Sequence, residues 1–206
     1  MPGTLPPMDK PHGRESVRAA LIEAGARLFA ERGPSSVSVR EVAREAGVNH
    51  GLVHRHFGSK DGLLQAVMTR LSGEVAESIG PVGSSESLAD LLMNTFGATR
   101  DGTHWRILAR SILDGVPVRE LQEDFPVVRR MLEAAQRGTR ATLSPEALVT
   151  LMLSVGLGLL LFEPYLMEAT DQDEERWQAT RMELAQLALQ ASQSDAQAGT
   201  AQSSKK

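Results

Sequence analysis

Apolar residues recur every three to four positions along most of the chain, and no stretch alternates as a half-buried strand would. Val17, Leu21, Ala24 and Leu28 set such a stripe over residues 15–31, which predicts a helix ended by Gly33 and Pro34. Ser38 caps a short second helix whose apolar face is Val39, Val42, Ala43 and Ala46, and Gly47 is the left-handed stop. Asn49 caps a third, with Val48 and Val53 placed as a hydrophobic staple and Gly58 at its end. Ser59 caps a fourth with Leu63, Val67, Leu71 and Val75 inward.

After "GPVGSSE" the composition shifts. Leu88, Leu91, Leu92, Thr95 and Phe96 mark one amphipathic helix, and Trp105, Leu108 and Ile112 the next. A Pro-interrupted stretch follows with Leu121, Phe125, Val128 and Leu132. "SPE" at Ser144–Glu146 is a cap with proline at the first helical position, opening a long apolar helix expected to end near Glu163 and Pro164. A last helix, over residues 174–191, turns Trp177, Leu184, Ala188 and Ala191 inward. The expected fold is all-α.

Composition narrows the function. The 206 residues suit one domain or two small ones, and 41% hydrophobic residues can supply a core. With no cysteine there is no disulfide framework, thiolate zinc site or cysteine nucleophile. "MPGTLPPMDKPHG" lacks the apolar segment of a secretory signal. The uncharged run 147–162 has 16 residues, interrupted by Thr150, Ser154, Gly156 and Gly158, and a membrane span needs roughly 20, so a buried helix and a soluble, cytoplasmic protein are expected. Residues 1–13 and 192–206 read as disordered tails. The net charge of −4 hides an asymmetry: residues 1–80 hold 10 Lys/Arg against 9 Asp/Glu, and four of the five histidines. A small basic face is possible there.

The stretch "NHGLVHRHFGSKDGLL" poses the chemical question. His50 and His54 are four apart, a spacing by which one helix face holds zinc. At about 100° per residue, however, His56 falls about 200° from His54, so the three do not converge. The residue after His50 is Gly51 and not the glutamate of a metalloprotease helix, and His12 and His104 stand alone. No metal, cofactor or catalytic residue is expected. A short helix, a glycine turn and a second short helix instead describe a helix-turn-helix. Val53 and Phe57 face inward, Gly51 and Arg55 outward, with His50 at the tip and His54 on the flank. Such an outer face meets base edges and phosphates in a major groove. Ser59 and Lys60 begin the next helix, whose positive end suits a phosphate.

The segment "SVREVAREAGVNHGLVHRHFGSKDGLL" resembles the DNA-binding segment of the tetracycline-repressor (TetR) family of transcriptional regulators. Ser38, Val42, Ala43, Ala46, Gly47, Val48, Asn49, Gly51, His56, Phe57, Lys60 and Leu63 match its spacing. Val53 replaces the usual leucine, and His54 stands where the family has a tyrosine that contacts phosphate or base. The close match covers about residues 15–75. It implies a DNA-binding domain at 14–80, a helical ligand-binding and dimerisation domain at 81–191, a homodimer on a near-palindromic double-stranded operator, and a small-molecule effector.

Candidate DNA contacts are Ser38, Arg40, Asn49, His50, Gly51, Leu52, His54, Arg55, His56 and Lys60. Arg40 is open between a phosphate clamp and a solvated charge, Leu52 between a thymine methyl and internal packing, and His56 between structure and reading. Met93, Phe96, Trp105, Leu108, Ile112, Phe125, Met131, Met152 and Phe162 are candidates for the effector cavity, or else plain core. Ser154, Gly156, Gly158, Trp177, Leu184 and Ala188 are candidates for dimerisation, with internal packing the alternative for the three small residues. An enzyme working through the histidines, and a helical adaptor that binds no DNA, are the two readings from other classes.

Overall fold

The computed structural model describes residues 13–78, 102–138 and 143–193, and every regular element among them is helical. The helices are α1 (Arg14–Arg32), α2 (Val39–Glu45), α3 (Gly51–Phe57), α4 (Lys60–Ser78), α5 (Thr103–Leu113), α6 (Val118–Leu121), α7 (Pro126–Gly138), α8 (Pro145–Ala169) and α9 (Glu174–Gln193), with a 3-10 turn at Pro34–Ser36. The expected helix around Leu88–Phe96, the candidates Met93 and Phe96, and the expected tails apart from Gly13, Ser192 and Gln193 lie outside the described residues, and the last helix takes in Ser192 and Gln193. Packing divides the chain into two units, Met1–Leu71 with Arg106–Glu123, and Ser72–Trp105 with Asp124–Lys206.

The first unit closes around Leu21, Phe29, Val42, Val53, Leu63, Val67 and Met68, all fully buried, joined by Ile107 of α5 and Leu121 of α6. The α1 stripe is wider than its spacing suggested, with Ile22 and Phe29 buried and Leu28 half-buried. Ser38 forms a full capping box: its hydroxyl accepts from the Glu41 N–H, and the Glu41 carboxylate accepts from the Ser38 N–H. Glu41 also pairs with Arg32 at 2.7 Å, so one carboxylate fastens the start of α2 to the end of α1. Gly47 (φ 68°) and Gly58 (φ 74°) end α2 and α3 in the left-handed region, where a side chain costs about 1 kcal/mol or more. The two short helices therefore stop at glycines, and both turns stay tight.

The second unit packs Val127, Met131 and Ala135 of α7 against Leu148, Val149 and Met152 of α8, with Val75 and Ala76 from the end of α4. Ser144 caps α8 by accepting from the Ala147 N–H. Trp177 of α9 is buried, its indole N–H donating to Glu163 of α8 at 2.5 Å. Three expectations are corrected here. The α5 stripe is rotated, so Ile107 and Ser111 are buried and Ile112 is exposed. Phe125 precedes α7 and is exposed, the inward positions being Val127 and Met131. Finally, α8 does not stop at Pro164 but runs through it to Ala169. Proline removes one hydrogen bond, and the flanking turns carry the helix past that loss. Burial of α8 within the chain is confined to its start: Leu151, Val155, Phe162 and Tyr165 are exposed.

The capping box carries a pH signature. The Ser38 backbone and hydroxyl, then Arg32, lower the Glu41 carboxyl from 4.5 to about 2. A depressed folded value means the stabilisation is complete above the unfolded value and is lost as pH falls through the folded one. Glu41→Gln is expected to lower the urea midpoint at pH 7, with the gap to wild type closing between pH 4.5 and 2. A gap that persists at pH 2 would place its origin outside the carboxylate.

Candidate nucleic-acid interface

Two short helices present the site. Asn49 turns the chain into α3: its Oδ1 accepts from the Gly51 N–H at 2.8 Å, and its carbonyl from the Leu52 N–H at 2.9 Å. His50 already has helical angles (φ −58°, ψ −27°), so Asn49 is the capping residue as its position predicted. Val53 is the one buried residue of α3. Leu52, His56 and Phe57 are half-buried, and Asn49, His50, Gly51, His54 and Arg55 are exposed. The outward face of Gly51 and Arg55 is therefore open, with His50 and His54 beside it. A Cβ at Gly51 would meet only the Asn49 Oδ1, at 3.3 Å.

Charge is sorted by face on α2. Arg40 and Arg44 share one stripe at i, i+4 spacing, and Glu41 and Glu45 an adjacent one. The carboxylates turn to α1, Glu41 to Arg32 at 2.7 Å and Glu45 to Arg27 at 3.1 Å. Arg40, Arg44 and Arg55 are exposed and form no ion pair among the described residues. The acidic groups of α2 are thus each paired with an arginine of α1, while its own arginines stay unpaired among the described residues. Arg44 belongs to that stripe by the same spacing as Arg40.

Between the 3-10 turn, α2, the end of α3 and the start of α4 lies an open cleft of about 510 Å³, whose walls include Ser36, Ser38, His54, Ser59 and Lys60. His54 Nδ1 lies 3.1 Å from the Gly58 carbonyl oxygen. The Lys60 ammonium donates to the Pro34 and Val37 carbonyls at 2.7 and 3.1 Å. Two of its three hydrogens thus tie α4 to the 3-10 turn, and one is left for a phosphate. Ser59 accepts from the Gly62 N–H at 3.0 Å, capping α4. Arg18 of α1 lies over the Phe57 ring at 5.6 Å and braces the end of α3, a contact that nothing in the spacing announced.

The other candidates are dispersed. Leu108 packs on the core of the first unit, and Ile112 is exposed there. Trp105, Met131 and Met152 are buried in the second, where Phe125 and Phe162 are exposed. Ser154 is exposed, Gly156, Gly158 and Leu184 are half-buried, and the Ala188 side chain is not described. Among the described residues no group of three His, Asp or Glu could hold a metal ion.

A capped recognition helix, glycine-closed turns and a positive outer face define a helix-turn-helix DNA-binding module. The model of the bacterial regulatory proteins of the tetR family matches residues 21–67. The HTH-type transcriptional repressor Rv3405c of Mycobacterium tuberculosis is 40% identical over 174 residues, covering 83% of this chain and 88% of that protein. Among solved structures, a tetR family transcription regulator from Shewanella sp. PV-4 aligns with TM-score 0.62 at 19% identity, over 82% of this chain and 95% of the other. A gamma-butyrolactone receptor (ArpA-like protein) aligns with TM-score 0.52 at 26% identity, over 86% and 98%. The chain belongs to the tetR family; it is a DNA-binding transcriptional regulator and not an enzyme.

Two substitutions separate space from reading. Gly51→Leu is expected to keep the fold, since its φ is not positive and one flexible oxygen is its neighbour, while weakening binding to a footprinted operator at least tenfold. Unchanged affinity would take Gly51 out of the interface. Arg55→Ala is expected to cost about 1–3 kcal/mol and to relax preference at one base pair per half-site, read by binding-site selection. A selected site identical to wild type would remove Arg55 as a base reader.

Proposed function

We propose that the chain is a homodimeric repressor that binds a near-palindromic operator and is released by a small-molecule effector. In this reading residues 14–80 bind DNA, residues 81–191 dimerise and hold the effector, and the protein works in the cytoplasm without a membrane partner. The observation that carries the DNA-binding half is the outer face of α3, where Arg55 and Gly51 stand open; Arg40 and Arg44 of α2 are exposed as well and form no ion pair among the described residues. Ser38, Asn49, His50, Leu52, His54, His56 and Lys60 frame that face.

Dimerisation is supported by α8. Leu151, Val155, Phe162 and Tyr165 are exposed and fall within about 80° of one another on a helix of 3.6 residues per turn. Gly158 lies on the same stripe, and a Cβ there would meet nothing within 4 Å. An apolar stripe with a small residue at its centre suits a partner helix at close range. By length and composition alone α8 could also cross a membrane, but a family of DNA-binding regulators favours the second copy. Two-fold protein symmetry then requires two half-sites about 34 Å apart or a multiple of that.

Repression follows the name of the mycobacterial relative, and an effector follows the receptor named among the structural neighbours. Such a molecule weakens DNA binding only if it binds the DNA-bound and released shapes with different affinity.

Footprinting across the DNA upstream of the chain's own gene tests the reading. A protected near-palindrome, bound by two chains, is expected. Log K should fall linearly with log salt, by about 0.9 per phosphate neutralised. No protected site, or specific binding indifferent to salt, would contradict it.

A further inference from the structure

The hydrogen bond of His54 fixes what that ring can offer to DNA. Its Nδ1 lies 3.1 Å from the Gly58 carbonyl oxygen. A carbonyl has no hydrogen to give, so Nδ1 carries the proton and donates. Gly58 holds its carbonyl there through a left-handed turn, φ 74°, closed by its own N–H on the His54 carbonyl at 2.9 Å. In the neutral ring the other nitrogen, Nε2, is then a bare lone pair. A lone pair accepts hydrogen bonds, and a phosphate oxygen offers only acceptors. Adding a proton at Nε2 turns it into a charged donor and leaves the Gly58 bond intact.

We infer that His54 holds a DNA phosphate only as an imidazolium, so that operator binding takes up one proton per reading head. This rests on the DNA-binding reading above and adds a proton to it. Histidine ordinarily titrates between pH 5 and 8, so the uptake falls in a range a cell experiences. The cleft brings two other charged groups toward the ring. Glu41 of α2, held anionic by Ser38 and Arg32, favours the charged ring. Lys60 of α4 opposes it, with its ammonium turned to the Pro34 and Val37 carbonyls. The 3-10 turn contributes only serine hydroxyls. On α3 itself Arg55 and His56 follow directly and His50 lies one turn back. An arriving phosphate adds negative charge and shifts the balance toward the imidazolium.

The test is the affinity of the full chain for one footprinted duplex at constant salt, from pH 8 to pH 6, with a long-range nitrogen–proton NMR spectrum of the free protein. Binding is expected to tighten as pH falls, by up to about tenfold per pH unit for each head. The spectrum should place the neutral-ring proton of His54 on Nδ1. His54→Gln and His54→Tyr should flatten the pH profile, because their donors do not titrate in this range, whereas His50→Gln and His56→Gln should keep it. Thermal unfolding confirms that each variant is folded. A flat wild-type profile, a slope that survives His54→Gln, or a proton on Nε2 would overturn the inference while leaving DNA binding standing. Binding that weakens as pH falls would also overturn it, and would mean that the bare Nε2 accepts from a base amino group. Absence of binding at every pH would overturn the DNA-binding reading itself.

Discussion

The module depends on how a helix of seven residues is held in place. Alone in water, α3 would not persist, because a helix this short does not repay its nucleation. It has a single fully buried residue, Val53, whose burial contributes about 1.5–3 kcal/mol. Leu52 and Phe57, half-buried, pack against the same core, and the ends of the helix supply the rest. Asn49 closes the start through Gly51, Gly58 closes the finish through His54, and Arg18 lies over Phe57. Concentrating the apolar anchor on the Leu52, Val53 and Phe57 side leaves the opposite face free of structural duty. That freedom lets Gly51, Arg55 and His50 be chosen for a ligand instead of a core.

The same economy governs charge. The acidic side chains of α2 are bound by arginines of α1, so the carboxylates build the module and their charge is offset locally. Lys60 lies between the two roles, since its ammonium stitches α4 to the 3-10 turn while standing at the wall of the cleft. A chain of net charge −4 can thus carry a positive local face. The sign that meets DNA is decided by which charges are paired internally, and the total says little about it.

Legibility in the sequence tracked how local the determinant was. The caps at Ser38, Asn49, Ser59 and Ser144 and the stops at Gly47 and Gly58 act within four residues, and all were readable from the residues alone. The outward placing of Gly51 and Arg55 follows from periodicity with Val53 inward. What escaped depended on distant partners. Ile107 and Leu121 join the core of the first unit from across the chain, so a division drawn along the sequence could not include them. The inward face of α5 and α7 was misplaced because several apolar stripes compete there, and packing chose Ile107, Val127 and Met131. Pro164 read as a stop because proline breaks a turn locally, yet the helix continues. The Lys60 and Arg18 contacts need the third dimension altogether.

Hydrogen–deuterium exchange of the full chain, with and without a duplex carrying the operator, tests the outer face of α3 most directly. Added protection is expected at residues 38–41 and 49–60, the segments that form the face and its cleft. Protection confined to residues 145–193, or none at all while the duplex is bound, would contradict it.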